Sequence, residues 1–237
     1  MITLETQVLT PYGFKEAWKL FKDDELLSID SRRNLIHSTE TQTTSVSTVY
    51  LEDGTSFDMS DEGIEEHGIE VGRDLQQDEP IRFIGLEDES DGFAVLDRRE
   101  GVDFGSFAKY EFIPHTYLMT SLESRKVFFE GLLYSQSLES KLSDGKVNFL
   151  VKHNGFADDL VYLVRSLGGN GLYLFFYKES AYYEVEVDLP KYFNEGVPKR
   201  LVSRIKDAGQ KDTIKFDVDH DNFIINDFIQ IPGRSAD

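Results

Sequence analysis

Short apolar stretches divided by turn residues open the chain, and this pattern predicts an all-β unit over residues 1–84. Thr6–Thr10 is followed by Pro11-Tyr12-Gly13, Leu26–Asp30 is a second run, and Ser45–Leu51 leads into Glu52-Asp53-Gly54-Thr55. A β-rich run ending in Asp-Gly is a hairpin signal. Between the first two runs, Phe14–Phe21 reads as one short helical turn with Trp18 and Phe21 facing the core. Residues 85–107 break the pattern with Glu, Asp, Gly and Ser, and read as an acidic linker.

Residues 108–196 change period and read as a mixed α/β piece. Thr120-Ser121 can cap a helix in which Leu122, Val127, Phe128, Leu132 and Leu133 recur at helical spacing. Ser143–Lys146 is a turn signal and Val147–Lys152 a strand. A second helix, Phe156–Leu167, carries the stripe Leu160, Val161, Leu163, Val164 and Leu167 and stops at Gly168-Gly169. Leu172–Tyr177 and Tyr182–Leu189 follow as strands. Residues 197–232 return to short strands, at Leu201–Ile205, Thr213–Val218 and Phe223–Ile229, with polar turns between; 233–237 form a tail. The fold class predicted is α+β and β-rich, with a β unit formed by both termini and a smaller α/β domain inserted between them.

Composition narrows the chemistry. No cysteine is present, which removes disulfides, thiolate nucleophiles and Cys-ligated zinc. No apolar run approaches the roughly 18 residues of a membrane span, and the first residues lack the basic and apolar regions of a secretory signal, so cytoplasmic synthesis is the expectation. Forty-four acids against 25 bases give a net charge of −19. Such a surface repels DNA phosphates unless its bases cluster, and they cluster only weakly, at Lys199-Arg200, Arg204 and Lys206. Asp217, Asp219 and Asp221 alternate without the spacing of a calcium loop and read as a solvated strand end, so no metal or cofactor is expected. The aromatic run Tyr173, Phe175, Tyr177 and Tyr182 reads first as sheet core; an exposed share would be a protein-binding surface, and base stacking is disfavoured by charge.

The terminal segments resemble the Hint fold of inteins and hedgehog-type autoprocessing domains. Met1–Thr10 is similar to the family's first block, Glu25–Asp30 to a following strand, and Leu51–Gly63 with Leu75–Asp78 to its second block. Phe216–Ile229 is the fullest match, to the block that precedes the terminal His-Asn. In the middle, Ile113–Leu133 and Ala157–Gly169 resemble a LAGLIDADG homing endonuclease. The resemblance implies a Hint-like all-β unit with an inserted LAGLIDADG-like domain.

The resemblance also implies where catalytic groups belong, and this chain departs from it at each place. Splicing needs a nucleophile at the first residue, and Met1 has a thioether without a labile proton. The Thr-x-x-His of the second block falls on Ser60-Asp61-Glu62-Gly63, which puts Gly63 where the imidazole belongs; His67 reads as a solvent-exposed loop residue, with a displaced imidazole as the alternative. Ile231-Pro232 stands in place of His-Asn. The metal-binding acids of the motif helix are replaced by Tyr134 and Gln136, with Glu139 past the helix end. The expectation is a catalytically inactive protein without cofactor, reused as a structural or adaptor component with protein partners in a larger assembly, by analogy a bacteriophage particle. Two alternatives stay open: an inactivated or engineered intein, and a non-cleaving DNA-binding relic.

Overall fold

The computed structural model describes residues 1–28, 31–75, 98–105, 110–138, 146–177, 182–189, 200–220 and 222–231. The chain divides into two compact units, Met1–Gln77 with Lys199–Asp237, and Asp78–Pro198. The first segment supplies β1 (Ile2–Thr3), β2 (Gln7–Thr10), β3 (Gly13–Glu16), β4 (Glu25–Leu27), β5 (Arg33–Leu51), β6 (Ser56–Ser60) and helix α1 (Asp61–Glu66). Asp78–Pro198 holds α2 (Arg98–Gly105), α3 (His115–Leu118), α4 (Leu122–Ser135), β7 (Lys146–Val151), α5 (Asn154–Ser166), β8 (Asn170–Tyr177) and β9 (Tyr182–Asp188). The last segment adds β10 (Val202–Val218), β11 (Ile224–Ile225) and β12 (Ile229–Gln230).

In the first unit the two terminal segments interleave. One sheet runs β10-β1-β6-β5-β4, with β10 also paired to β5, and a second runs β12-β11-β2-β3. β1 lies between β10 and β6, with Ile2 registered to Ile214 on one side and Met59 on the other. Val8 of β2 is registered to Ile225. The core therefore draws on both segments: Ile2, Val8 and Val49 from the first, Ile214, Ile225 and Ile229 from the last, all buried. Neither segment can remove this apolar surface from water by itself.

Three expectations about this unit are corrected. Leu201–Ile205 and Thr213–Val218 are one strand, β10, because the polar stretch between them pairs along β5, with a register shift between Asp207 and Gln210 where Gly209 has φ +77°. β5 likewise starts at Arg33, far ahead of Ser45. Its middle is polar and exposed, so no apolar alternation marked it as strand. Phe14–Phe21 is a strand end followed by a 3-10 turn at Ala17–Lys19. Ala17 and Leu20 are the buried residues there, whereas Trp18 and Phe21 are 51% and 64% exposed. The hairpin at Asp53-Gly54 is present, with Gly54 at φ +86°.

The second unit packs helices on a three-stranded antiparallel sheet, β7-β9-β8. Ser121 caps α4, its Oγ accepting from the Ser124 N–H at 3.2 Å. The predicted α5 stripe, Leu160 to Leu167, is buried, and the chain leaves α5 through Gly168 at φ +81°. The span read as an acidic linker contains α2, which packs on α4. A Cβ on Gly101 would strike the Phe128 carbonyl and come 2.8 Å from the Gly131 Cα, so the two helices cross backbone to backbone. The turn expected at Ser143–Lys146 lies mostly outside the described residues. Among those described, no helix is long and apolar enough to cross a membrane.

Candidate functional site

The start of β1 is held by the strand-to-helix junction that follows β6. Ser60 caps α1: its Oγ accepts from the Gly63 N–H at 3.0 Å and donates to the Met1 carbonyl at 3.1 Å. The Ser60 N–H donates to the same carbonyl at 3.0 Å. Gly63 is buried beneath the residue-1 nitrogen, and a Cβ there would lie 2.7 Å from Met1 N and 3.0 Å from Met59 Cγ. Burial lowers the pKa of the Met1 amino group; Glu66 opposes this and Lys215 adds to it. The Met1 thioether accepts from Gln42 Nε2 at 3.0 Å.

Met1 opens into a cleft of about 390 Å³. Its charged and titratable lining is Glu40, Glu66, His67, Lys215 and Asp217, over an apolar floor that includes Ile2, Phe216 and Phe223. His67 closes α1, its N–H donating to the Gly63 carbonyl at 3.0 Å. It is half-buried and faces the cleft beside Met1, which corrects the expectation of a solvent-exposed loop histidine. The structure thus brings Met1, Gly63 and His67 together. An imidazole and carboxylates able to move protons share this cleft with a residue 1 that offers a thioether.

The remaining expected positions lie elsewhere. Ile231 is fully buried in the core of the first unit, its N–H donating to the Phe223 carbonyl at 3.4 Å. Pro232 and Glu139 lie outside the described residues. On α4, Tyr134 is 54% exposed. Just past that helix, Gln136 clasps the Leu150 main chain, donating to its carbonyl at 3.1 Å and accepting from its N–H at 3.2 Å. This is a structural use of the side chain. The main chains of Tyr173, Phe175 and Tyr177 lie in β8, registered to Val185, Glu184 and Tyr182, and Tyr182 is half-buried.

Two further pairs were not legible in the sequence. Arg200, fully buried, donates from Nε to Asp53 Oδ2 at 2.8 Å and from Nη2 to Thr55 Oγ1 at 2.9 Å. Its Nη1 donates to the Asp227 carbonyl at 2.9 Å. This removes Arg200 from the basic cluster considered for phosphate binding. Arg204 lies over the Tyr50 ring, 4.1 Å from its centroid. The second pair joins His37 Nε2 to Asp219 Oδ1 at 2.7 Å. Asp219 is held below the usual carboxylate range, first by the hydrogen bond from His37 and then by the Leu35 N–H. The partners in both pairs are more than 140 residues apart, and local patterning carries no signal for them. Among the described residues, no three acids or histidines converge as a metal-binding group.

The chain matches no protein-family model, and no curated protein matches it. Solved structures similar to it include the gp41-1 intein, at 14% identity over 98% of this chain and 97% of that chain with a TM-score of 0.38. The Msm DnaB1 intein splicing domain bound with zinc is similar at 7% identity over 98% and 100%, with a TM-score of 0.38. The MchDnaB-1 intein is similar at 22% identity over 25% of this chain and 48% of that chain, with a TM-score of 0.24. At these values no residue role passes from them to this chain.

Proposed function

We propose that this chain is a relative of protein-splicing domains that lacks splicing chemistry and serves, without enzymatic activity, as a structural or adaptor component of a protein assembly. Its first unit is read as Hint-like and its second as a LAGLIDADG-like insertion. The observation that carries the reading is the junction at Met1. The residue-1 carbonyl is held by the Ser60 N–H and Oγ, which fixes residue 1 with its nitrogen over Gly63. Yet residue 1 is methionine, and the position packed against its nitrogen is Gly63. An activated nucleophile and a donor to the leaving amide are both needed for acyl transfer. Tyr134 and Gln136 leave the motif-helix region without its acids, and Gln136 is occupied with Leu150.

One observation favours the alternative of an intein with altered reactive residues: His67 faces the cleft that contains Met1. The test restores a nucleophile at residue 1 and the His-Asn pair, and leaves the proton donor to His67. A variant carrying M1C, I231H and P232N, ending at residue 232, is placed between two reporter proteins, the second beginning with cysteine to accept the acyl group, and the products are weighed by mass spectrometry. The expected result is intact precursor alone. Ligated reporters, lost again on His67→Ala, would overturn the proposal in favour of a splicing domain.

A further inference from the structure

Two turns of the first unit hold aromatic rings out in solvent. In the hairpin between β2 and β3, Thr10 Oγ1 donates to the Gly13 carbonyl at 2.7 Å and accepts from the Tyr12 N–H at 3.1 Å. The turn is fixed by these bonds, and Tyr12 at its tip is 79% exposed. Ahead of β4, Asp24 Oδ2 accepts from the Phe21 N–H at 2.9 Å, and the Asp24 N–H donates to the Phe21 carbonyl at 3.1 Å. This second turn holds Phe21, which is also mostly exposed. Single exposed apolar residues are ordinary on a protein surface, whereas aromatic rings presented by rigid turns beside one groove have the character of a contact surface.

The groove has a volume of about 300 Å³. Its apolar lining is Tyr12, Phe14 and Leu20, and its charged lining is Lys15, Asp24 and Glu25. Lys15 Nζ lies 3.3 Å from Asp24 Oδ2, and Glu25 is paired with Arg33 at 3.1 Å. All four side chains are partly exposed, and ion pairs of this kind exchange partners at little cost, so both carboxylates can take a further cation. A guanidinium suits such a place, since it stacks on an aromatic face and donates in a planar fork to a carboxylate. We infer that this groove is the docking site for a partner-protein segment that presents an arginine between apolar residues. The arginine lies over Tyr12 and meets Asp24 or Glu25, and its apolar neighbours pack on Phe14, Leu20 and Phe21. The net charge of −19 draws in a basic partner and opposes a second copy of the chain. The inference rests on the adaptor reading and names what the partner presents.

The test titrates the full chain with the peptide acetyl-Leu-Arg-Leu-amide and follows the backbone amide resonances. Saturable shifts are expected at Tyr12, Gly13, Phe21 and Asp24. Citrulline in place of arginine keeps the shape and removes the charge, and should weaken binding roughly five- to tenfold. Tyr12→Ser keeps the N–H that bonds Thr10 and removes only the exposed ring, so it should melt as the parent does and lose about tenfold in affinity. No saturable shift up to the solubility limit, equal binding of the citrulline peptide, or unchanged binding by Tyr12→Ser overturns the proposal. So do shifts of the same amides when the chain alone is concentrated, since the occupant would then be a second copy. The splicing assay reads ligated mass, so its outcome and that of the titration are independent.

Discussion

The two units each bury an arginine and satisfy it differently. In the first unit, Arg200 meets a buried carboxylate, Asp53, and also holds the Asp227 carbonyl. Asp227 and Phe228 sit at φ 54° and 60°, a left-handed pair at the turn between β11 and β12 that non-glycine residues adopt at a cost. Arg200 thus joins the β5–β6 hairpin, the entry to β10 and a strained turn. In the second unit, Arg125 on α4 donates from Nε to the Thr120 carbonyl at 3.1 Å and from Nη1 to the Ser166 carbonyl at 3.1 Å, with Ser166 Oγ as a further acceptor. Ser166 ends α5, where the helix dipole favours a cation. Burial pushes the Arg125 pKa down to about 10, with Tyr162 opposing the shift. A buried ion pair fixes one long-range arrangement and is fragile to the loss of either partner. A cation held by carbonyls ties two helices together and leaves neutral groups behind when it is removed.

The largest expected effect follows from that contrast. Arg200→Met removes the guanidinium from the buried Asp53 carboxylate and should destabilise the first unit by about 3–5 kcal/mol. Arg125→Met removes the donor to the Thr120 and Ser166 carbonyls and should destabilise the second unit by about 1–3 kcal/mol. Urea unfolding checks both, because Trp18, the single tryptophan, reports on the first unit while exchange of the α5 amides reports on the second. Equal losses would break the comparison.

A comparable loss is expected from Gly101→Ala, whose added methyl group meets the Phe128 carbonyl and the Gly131 Cα where α2 crosses α4. Overpacking of this kind should destabilise the second unit by about 1–3 kcal/mol and leave tryptophan fluorescence unfolding unchanged. A shift in both probes would show that the units do not melt separately.

Asp58 gives a smaller, pH-dependent effect. Burial raises its pKa, but hydrogen bonds from Lys211 and Thr48 outweigh this and hold the carboxyl below its usual 3.8. A folded-state value below the unfolded one stabilises above the unfolded pKa, and that stability disappears as pH falls through the folded value. Both side chains are partly exposed, so Asp58→Asn should lose no more than about 1 kcal/mol at neutral pH. Denaturant midpoints of the two proteins should converge as pH drops below 3.8. A constant gap would place the effect in packing.

Trp18→Ser and Phe21→Ser should each change stability by no more than about 0.5 kcal/mol, since both rings are mostly exposed. Circular-dichroism melting, which does not need the tryptophan, decides this. A loss of several kcal/mol would restore the reading that faces them to the core.

Local patterning revealed the elements whose burial follows their own period. The α4 and α5 stripes, the Ser121 cap, the Gly168 stop and the Asp53-Gly54 turn were legible because the residues that make them are near neighbours in sequence. The same logic failed for Lys206–Asp212 and for the first half of β5. These polar stretches are strands because each supplies the other's hydrogen bonds along a shared ladder. The positions of Met1 and Gly63 in the candidate site came from a resemblance, and the fold sets Gly63 against the Met1 nitrogen. His67 was placed on the surface because nothing in a lone loop histidine signals the cleft it faces.

By itself the chain's order of residues determined a β-rich chain interrupted by an α/β insertion, the absence of cysteine chemistry, and a strong negative charge. Only the tertiary structure decided that β1 is sandwiched between β6 and β10, that Arg200 reaches Asp53, and that His67 faces the cleft beside Met1. The physical reason is range. Hydrophobic period, caps and turns act over a few residues, whereas the first unit closes only when segments about 200 residues apart bury a core that neither holds alone.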